Sequence, residues 1–208
     1  SQQISLLIAI TTKFGNLLKN NTEQYVEHLI EKIKEDKANW ERFRNIFNER
    51  EIHSKTILLQ EGDIATHLHF IKKGCLRMWF NKEGKEITLQ FFFEGQAVAS
   101  IESFMTRQPG IFTIESIEPS TIVSISNEDC EQILKAFPEL KEGLQQMLFQ
   151  RFRNYAQLFL SRIKDSPRER YEDLVKNHPE IIQRIPQHYI ASYLGITPIS
   201  LSRIRNRR

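Results

Sequence analysis

Arginine is concentrated at the C-terminal end of the chain, at positions 203, 205, 207 and 208. Small hydroxyl and amide side chains surround these arginines, in a stretch that begins at Thr197. Guanidinium groups and small hydroxyls on one helix are groups that contact base edges and phosphates in a major groove. The candidate DNA-contacting residues are Thr197, Ile199, Ser200, Ser202, Arg203, Asn206 and Arg207. A solvated basic tail is the alternative interpretation.

The residues around the arginines favour a helix-turn-helix over a tail. Pro186 suits the first turn of a helix, and Gly195 lies where a left-handed C-cap would end that helix. Thr197 followed by Pro198 is a typical N-cap and first-turn pair, which predicts a second helix over Pro198–Arg207. Apolar residues of the two helices are spaced to face each other: Ile190, Ala191, Leu194, Leu201 and Ile204.

The distribution of charge supports the same interpretation. The net charge of the 208-residue chain is +3. Residues 166–208 contain eight Lys and Arg against four Asp and Glu, whereas the remainder contains 21 against 22. This asymmetry is expected when a module that binds a polyanion is joined to a neutral one. Double-stranded DNA is therefore the expected partner of residues 166–208.

Composition excludes several other classes of protein. A hydrophobic fraction of 40% and a charged fraction of 26% are ordinary for a water-soluble protein. The apolar run Ile4–Ile10 is too short to span a bilayer, so we expect a cytoplasmic protein without a membrane partner. Cys75 and Cys130 form no metal-binding motif and are expected to be buried thiols. His53, His67 and His69 are expected at the surface or in hairpins.

The elements that must position the C-terminal motif begin with a strand-rich region, residues 51–126. Short β-branched and aromatic runs alternate there with turn signals, which predicts an antiparallel β-sandwich or jelly roll. The predicted strands are Thr56–Leu59, His67–Ile71, Leu76–Phe80, Glu86–Phe93, Phe112–Ile117 and Thr121–Ile125. Residues 1–50 show helical spacing and are expected to pack on this barrel. The predicted fold class is therefore α+β.

Residues 127–165 are predicted to form a short helix followed by a long one. From Glu139 to Lys164 no proline intervenes, and Asp165-Ser-Pro167 then ends the helix as a hinge before residues 166–208. The long helix has a broad apolar face, formed by Leu144, Met147, Leu148, Phe152, Tyr155, Leu158, Phe159 and Ile163. So wide a face predicts contact with both the barrel and a second copy, hence a homodimer through residues 139–164. Burial within its own chain is the alternative.

Four segments of the barrel region resemble the cyclic-nucleotide-binding barrel of the CRP/FNR regulators: Glu61–Asp63, His69–Gly74, Gly84–Leu89 and Glu94-Gly95. The resemblance extends through the long helix to the helix-turn-helix, from about residue 52 to residue 208. It implies a homodimeric DNA-binding transcription regulator, not an enzyme, with RNA polymerase as a further partner. A ligand-binding module whose C-terminal helices contact a protein is the alternative function.

The ligand pocket departs from the family pattern. That pattern has a Gly-Glu pair and, about ten residues later, an Arg-Ser or Arg-Thr pair that holds the cyclic phosphate. Here Ile101 precedes Glu102, and Pro109–Thr113 contains no basic residue, which disfavours a buried phosphate. We therefore expect no standard cyclic-nucleotide site and no cofactor, although an unknown small effector remains open. The pocket candidates are Glu102, Ser103, Phe112 and Thr113.

A group of apolar residues leaves a second question open in the barrel. These residues either line a cavity for an apolar or aromatic effector or form ordinary core: Phe91, Phe92, Phe93, Phe104, Met105 and Phe112. Glu102 has no His, Cys or second carboxylate close to it in sequence, so an enzymatic site is disfavoured.

Overall fold

The computed structural model describes residue 31 and residues 33–206. The helices predicted within residues 1–30 and the candidate Arg207 lie outside the described residues. The described strands are β1 (Glu49–Ile52), β2 (Ile57–Leu59), β3 (His67–Lys73), β4 (Leu76–Lys82), β5 (Lys85–Phe92), β6 (Ala97–Val98), β7 (Thr113–Ser116) and β8 (Ser120–Ser126). The named helices are α1 (Lys37–Phe43), α2 (Ile101–Thr106), α3 (Asn127–Ala136), α4 (Leu140–Lys164), α5 (Pro167–Asn177), α6 (Pro179–Arg184), α7 (Gln187–Leu194) and α8 (Pro198–Asn206), with a 3₁₀ helix at Arg44–Phe47.

The strands form two four-stranded antiparallel sheets. Their orders are β1-β8-β3-β6 and β2-β7-β4-β5. Residues from both sheets meet in one apolar core, as expected for a sandwich of two packed sheets. The predicted α+β class with an antiparallel barrel and flanking helices is confirmed. The sequence pattern missed β1 and β6, which are four and two residues long.

The hairpin between β3 and β4 depends on a glycine. Gly74 has φ +101°, and a Cβ there would lie 2.2 Å from the Ser120 hydroxyl. No side chain fits at this position, since that distance is far below van der Waals contact. The Gly74 N–H donates to the Glu94 carboxylate at 2.8 Å, which joins the hairpin to the end of β5.

Of the two expectations for the histidines, His69 meets the second: it lies on β3 of the β3–β4 hairpin and is buried rather than at the surface. Its side chain is 6% exposed, and its Nδ1 lies 2.9 Å from the Ser124 hydroxyl of neighbouring β8. Burial lowers the pKa of His69 to about 4, with smaller contributions from His67 and Arg50. His53 and His67 are exposed. The alternating pattern of a strand could not predict that His69 is buried, because the residues that cover it are distant in the chain.

The helices after the barrel begin and end at local signals. The Ser126 hydroxyl accepts from the Asp129 N–H at 3.0 Å and caps α3. The 25-residue α4 ends at Lys164 with Asp165 as its C-cap, and Ser166 and Glu169 form a capping box at the start of α5. The predicted break at Asp165–Pro167 is therefore present. Within the described residues, no helix has the length and apolar character needed to cross a bilayer.

A second apolar cluster joins the barrel to the C-terminal helices. On the barrel side it contains Cys75, Phe91 and Phe93. On the helical side it contains Leu174, Ile181, Ile185, Ile190, Ala191, Leu194 and Leu201. The C-terminal domain therefore packs against the outer face of β4 and β5 rather than being separated from the barrel.

Candidate DNA-binding surface and effector pocket

Helices α7 and α8 form the predicted helix-turn-helix. Gly195 ends α7 in the left-handed conformation, with φ 68° and an N–H that donates to Ala191 and Ser192. The Thr197 hydroxyl accepts from the Ser200 N–H at 3.1 Å, as an N-cap of α8 should. Leu201 is buried in the same apolar cluster as the α7 residues. Pro186 differs slightly from expectation, because it precedes α7 as its N-cap instead of lying within the first turn.

The outer surface of α8 presents most of the candidate DNA-contacting residues to solvent. Ser202, Arg203 and Asn206 are exposed, and the apolar Ile199 is 66% exposed. The Arg203 side chain forms no hydrogen bond or ion pair with another described residue. The hydroxyls of Thr197 and Ser200 lie 3.0 Å apart and bond to each other. These two residues are therefore better placed to hold the start of α8 than to contact a ligand.

A groove of about 480 Å³ runs beside α8. The α8 residues that line it are Ser202, Arg205 and Asn206, and Tyr171, Ile182 and Gln187 are on its other side. Arg205 was missed as a candidate, although its place among four closely spaced arginines was a signal that could have included it. Ser202 and Asn206 thus face the groove together with an additional cation.

Helix α7 is fixed to the barrel by hydrogen bonds to the backbone of β5. The Ser192 hydroxyl accepts from the Thr88 N–H at 2.9 Å and donates to the Glu86 oxygen at 2.7 Å. The ring of Tyr193 packs on Phe91, with 5.3 Å between ring centres. A single α7 side chain therefore satisfies two backbone groups of the exposed edge of the sheet, which positions the helix-turn-helix.

Arg77 lies at the centre of this contact and is 1% exposed. Its guanidinium donates to Glu115 at 2.7 Å, pairs with Glu86, and lies 3.8 Å from the ring centre of Tyr189 on α7. Trp79 Nε1 also donates to Glu115, at 3.1 Å. A buried cation is tolerated only with such partners, since an unpaired one is strongly destabilising. Arg77 thus links β4, β5, β7 and α7.

A second ionic contact joins α6 to the barrel. Arg184 donates to both oxygens of Glu94 at 2.8 Å and also pairs with Glu118. The hydrogen bonds from Arg184 lower the pKa of Glu94 to about 2, against the opposing effect of its partial burial. The bond to Glu94 in turn raises the pKa of Arg184. Charged groups and apolar contacts therefore act together to hold the C-terminal domain in this orientation.

The region of the expected effector pocket is closed by bonds within the chain. Ser103 on α2 is 1% exposed, and its hydroxyl accepts from the Ala65 N–H at 2.9 Å and donates to the Gln108 oxygen. The Gly110 N–H donates to the Asp63 oxygen at 2.8 Å. The segment after α2 is thereby bound to the β2–β3 loop. The Ser103 hydroxyl and the Gly110 N–H therefore already have partners within the chain.

The four pocket candidates lie in different environments. Glu102 is exposed, whereas Ser103 and Thr113 are buried. The Thr113 hydroxyl accepts from the Glu61 N–H at 3.0 Å, and Phe112 packs against Phe80. The carboxylate does not share a buried space with the two hydroxyls. Pro109–Thr113 contains no basic residue, so the four candidates themselves provide no positive charge for a phosphate.

The aromatic group in the barrel does not line one cavity. Phe92 and Phe104 belong to the barrel core, whereas Phe91 and Phe93 face the C-terminal helices. Phe112 is half-buried, and Met105 is exposed. Of the two interpretations left open by the sequence, ordinary core packing accounts for the buried members. The sequence could not distinguish these interpretations, because adjacent residues of β5 face opposite sides of the sheet. Which phenylalanines face the core depends on the register of that strand.

Comparison with known proteins agrees with this architecture. Residues 49–137 match the cyclic nucleotide-binding domain family. The structure of FixK2 from Bradyrhizobium japonicum superposes with a TM-score of 0.66 at 15% identity, over 77% of this chain and 83% of that one. The c-di-GMP responsive regulator CLP from Xanthomonas campestris gives 0.63 at 19% identity, over 81% and 89%. A CRP/FNR family regulator from Eubacterium rectale gives 0.62 at 22% identity, over 78% and 80%.

The chain has the fold of the CRP/FNR regulators. Among curated sequences, human patatin-like phospholipase domain-containing protein 6 is 29% identical over 92 residues, which are 42% of this chain and 7% of that protein. The chain thus spans only a small part of the length of this relative.

In this CRP/FNR fold the long helix α4 has two distinct faces. Met147 packs against the barrel core, and the Tyr155 hydroxyl contacts the Met78 sulfur at 3.7 Å. The opposite face has apolar residues at alternating intervals of three and four. They are the exposed Phe149, Phe152, Phe159 and Ile163 and the half-buried Ala156. That spacing is the heptad repeat of a coiled coil. Phe152 is 69% exposed, which is unusual for so large an apolar side chain.

Proposed function

We propose that the chain is a DNA-binding transcription regulator whose Pro198–Arg207 helix contacts the major groove. The observation that supports this proposal best is the state of Arg203, which is exposed and has no partner among the described residues. Arginines elsewhere in the domain interface, such as Arg77 and Arg184, are paired with glutamates. A guanidinium without a partner on the outer face of a helix-turn-helix suits an anionic ligand in solvent.

Residue roles follow from exposure and chemistry. Arg203 contacts a base edge or phosphate, and Arg205 and Arg207 contact phosphates. Ile199 gives α8 an exposed apolar contact, which suits the methyl group of thymine. Ser202 and Asn206 are exposed and supply hydrogen-bonding groups to bases. Thr197 and Ser200 hold the first turn of the helix in place.

The exposed heptad face of α4 supports a homodimer in the same proposal. Two copies packed through residues 149–163 would bury five large apolar side chains that are otherwise in water: Phe149, Phe152, Phe159, Leu160 and Ile163. A two-fold dimer presents two copies of α8. The expected target is then a two-fold related site whose half-sites are about one helical turn, roughly 34 Å, apart.

Binding of DNA fragments selected from a random library, measured at two salt concentrations, tests this function. If α8 contacts phosphates, affinity falls steeply with salt, by about tenfold or more between 50 mM and 200 mM for several contacts. Retention of a protein partner together with no salt-dependent DNA binding would instead identify a ligand-binding module with a protein partner. Catalysis is not part of the proposal.

A further inference from the structure

Strand β3 carries two histidines that are separated by one residue. His67 and His69 lie on the same side of the strand, because side chains two positions apart point to the same face of a sheet. Their rings are nearly parallel, with an interplanar angle of 15° and 6.1 Å between ring centres. His67 is exposed, whereas His69 is buried. The pair therefore joins an imidazole at the surface to one that the protein encloses.

A hydroxyl group contacts the Nδ1 atom of each ring. The His67 Nδ1 lies 2.9 Å from the Thr66 hydroxyl, and the His69 Nδ1 lies 2.9 Å from the Ser124 hydroxyl. Neither Nε2 atom has a hydrogen-bond partner among the described residues. When each Nδ1 donates its proton to the hydroxyl, each Nε2 carries a free lone pair. Histidines that bind metals are held in this tautomer by a hydrogen bond from their other nitrogen.

The two rings line a cavity of about 300 Å³. Its other polar lining residues are Gln60, Asp63 and Thr66, and no lysine or arginine is among the described residues that line it. The Asp63 carboxylate is exposed and forms no hydrogen bond or ion pair with another described residue. An unpaired carboxylate and two unpaired ring nitrogens at one cavity favour a cation over an anion.

We propose that His67 and His69 bind a transition-metal ion, of the group Cu²⁺, Ni²⁺ and Zn²⁺, through their Nε2 atoms. Imidazole nitrogen suits these ions, whereas Mg²⁺ and Ca²⁺ prefer oxygen ligands. Two metal–nitrogen bonds of about 2.0–2.1 Å at a tetrahedral angle place the ring centres roughly 5 Å apart. The rings therefore need to approach each other by about 1 Å, which rotation of the exposed His67 side chain provides.

Water completes the coordination of the proposed ion. In the described part of the chain, no third His, Cys, Asp or Glu forms a metal-binding group with the two histidines. Arg50 also acts electrostatically on His69 and opposes a further positive charge, so Asp63 only partly favours the cation. Two protein ligands beside a nearby cation predict weaker and more readily reversible binding than a closed structural site with four ligands.

This cavity is separate from the candidate effector pocket and from the domain interface. It is lined by β2, the loop after β2, β3 and Ile114 of β7. Among the described residues that line it, none belongs to α4, to Pro109–Thr113 or to the C-terminal helices. Binding of the ion therefore depends neither on the proposed contact with DNA nor on the proposed dimer.

Isothermal titration with Cu²⁺, Ni²⁺, Zn²⁺ and Mg²⁺, after treatment of the full chain with a chelator, tests the site. We expect saturable binding of the three transition-metal ions, tightest for Cu²⁺, and no binding of Mg²⁺. His67→Gln and His69→Gln should each weaken Ni²⁺ binding by more than about tenfold, because one imidazole remains. His53→Gln, which removes an exposed histidine outside the cavity, should leave the affinity unchanged.

Three titration results would overturn this site. The first is the absence of saturable heat with all three transition-metal ions. The second is an equal loss of Ni²⁺ affinity in His53→Gln. The third is unchanged affinity in both His67→Gln and His69→Gln, which would show that the ion binds elsewhere on the surface. Thermal melting shows whether His69→Gln folds, and if it does not, the exposed position His67→Gln decides.

The electron paramagnetic resonance spectrum of the Cu²⁺ complex gives a readout that does not depend on affinity. Superhyperfine splitting from two imidazole nitrogens is expected for the unaltered chain and from one for His67→Gln. The same splitting in both proteins would contradict the assignment of His67 as a ligand. His53→Gln is the matched control and should retain the two-nitrogen spectrum.

Discussion

The surface of α8 and the segment around α2 contain similar polar residues that use their hydrogen bonds differently. On α2, Ser103 is buried and bonded to two backbone groups of the same chain. On α8, Ser202 and Arg203 face solvent without a partner among the described residues. A surface that binds a ligand from solution needs free donors and acceptors, whereas a closed segment stabilises the fold. The heptad face of α4 resembles α8 in this respect, because its large apolar side chains are exposed and no other described residue covers them.

The exposed face of α4 gives the largest expected effect. Phe152→Glu places a charge in the seam where two copies are proposed to meet, and it should weaken the dimer by more than about a hundredfold. Sedimentation equilibrium at micromolar concentration is expected to show a dimer for the unaltered chain and a monomer for the variant. Gln157→Glu, an exposed position beside the seam, should remain dimeric. A dimeric Phe152→Glu protein would show that the copies meet elsewhere.

Substitution in the closed segment around α2 is expected to lower the stability of the fold rather than to change assembly. Ser103→Val removes the hydroxyl and leaves the Ala65 N–H and the Gln108 oxygen without their partner, at a cost of about 3 kcal/mol in the free energy of unfolding. The matched change Ser202→Val on exposed α8 should cost less than about 1 kcal/mol. Urea denaturation measures both. Similar losses for the two variants would remove the distinction between the two regions.

The buried His69 predicts how the stability of the fold depends on pH, in contrast to the exposed His67. Because its pKa falls from 6.5 to about 4 on folding, the unfolded chain binds a proton more readily. Stability from the neutral imidazole is fully present above pH 6.5 and declines by up to about 3 kcal/mol as pH falls to 4. His69→Asn should flatten that decline, whereas the exposed His67→Asn should not. Denaturant midpoints measured from pH 7 to pH 4 check this, and equal slopes for all three proteins would contradict the burial of His69.

Local sequence signals predicted the elements that depend on neighbouring residues. Gly195 and Thr197 marked the turn of the helix-turn-helix, and Asp165–Pro167 marked the end of α4. Alternation with turn residues predicted most strands, with boundaries that differ by one or two residues in several cases. These features are set by backbone capping and by the two-residue period of a strand.

Features that depend on distant pairs could not be predicted in the same way. The Ser192 hydroxyl meets the Thr88 N–H across 104 positions, and nothing near either residue indicates that contact. Strand β1 is defined by its pairing with β8, and the burial of Arg77 requires Glu115 and Tyr189. Arg151 on α4 donates to the Ala97 oxygen at 2.6 Å, which the sequence did not predict. Its one available signal was that a charged residue inside an apolar stripe of a long helix is unusual.

The most direct test of the central proposal is the affinity of Arg203→Ala for a selected DNA site and for random DNA. Fluorescence anisotropy at fixed salt should show that the selected site loses about 1–3 kcal/mol of binding free energy, while random DNA loses less. Arg168→Ala is the matched control, since it removes an exposed arginine from α5, outside the helix-turn-helix. Equal losses on both DNAs for Arg203→Ala, or no loss on either, would contradict the assignment of α8 as the DNA-reading helix.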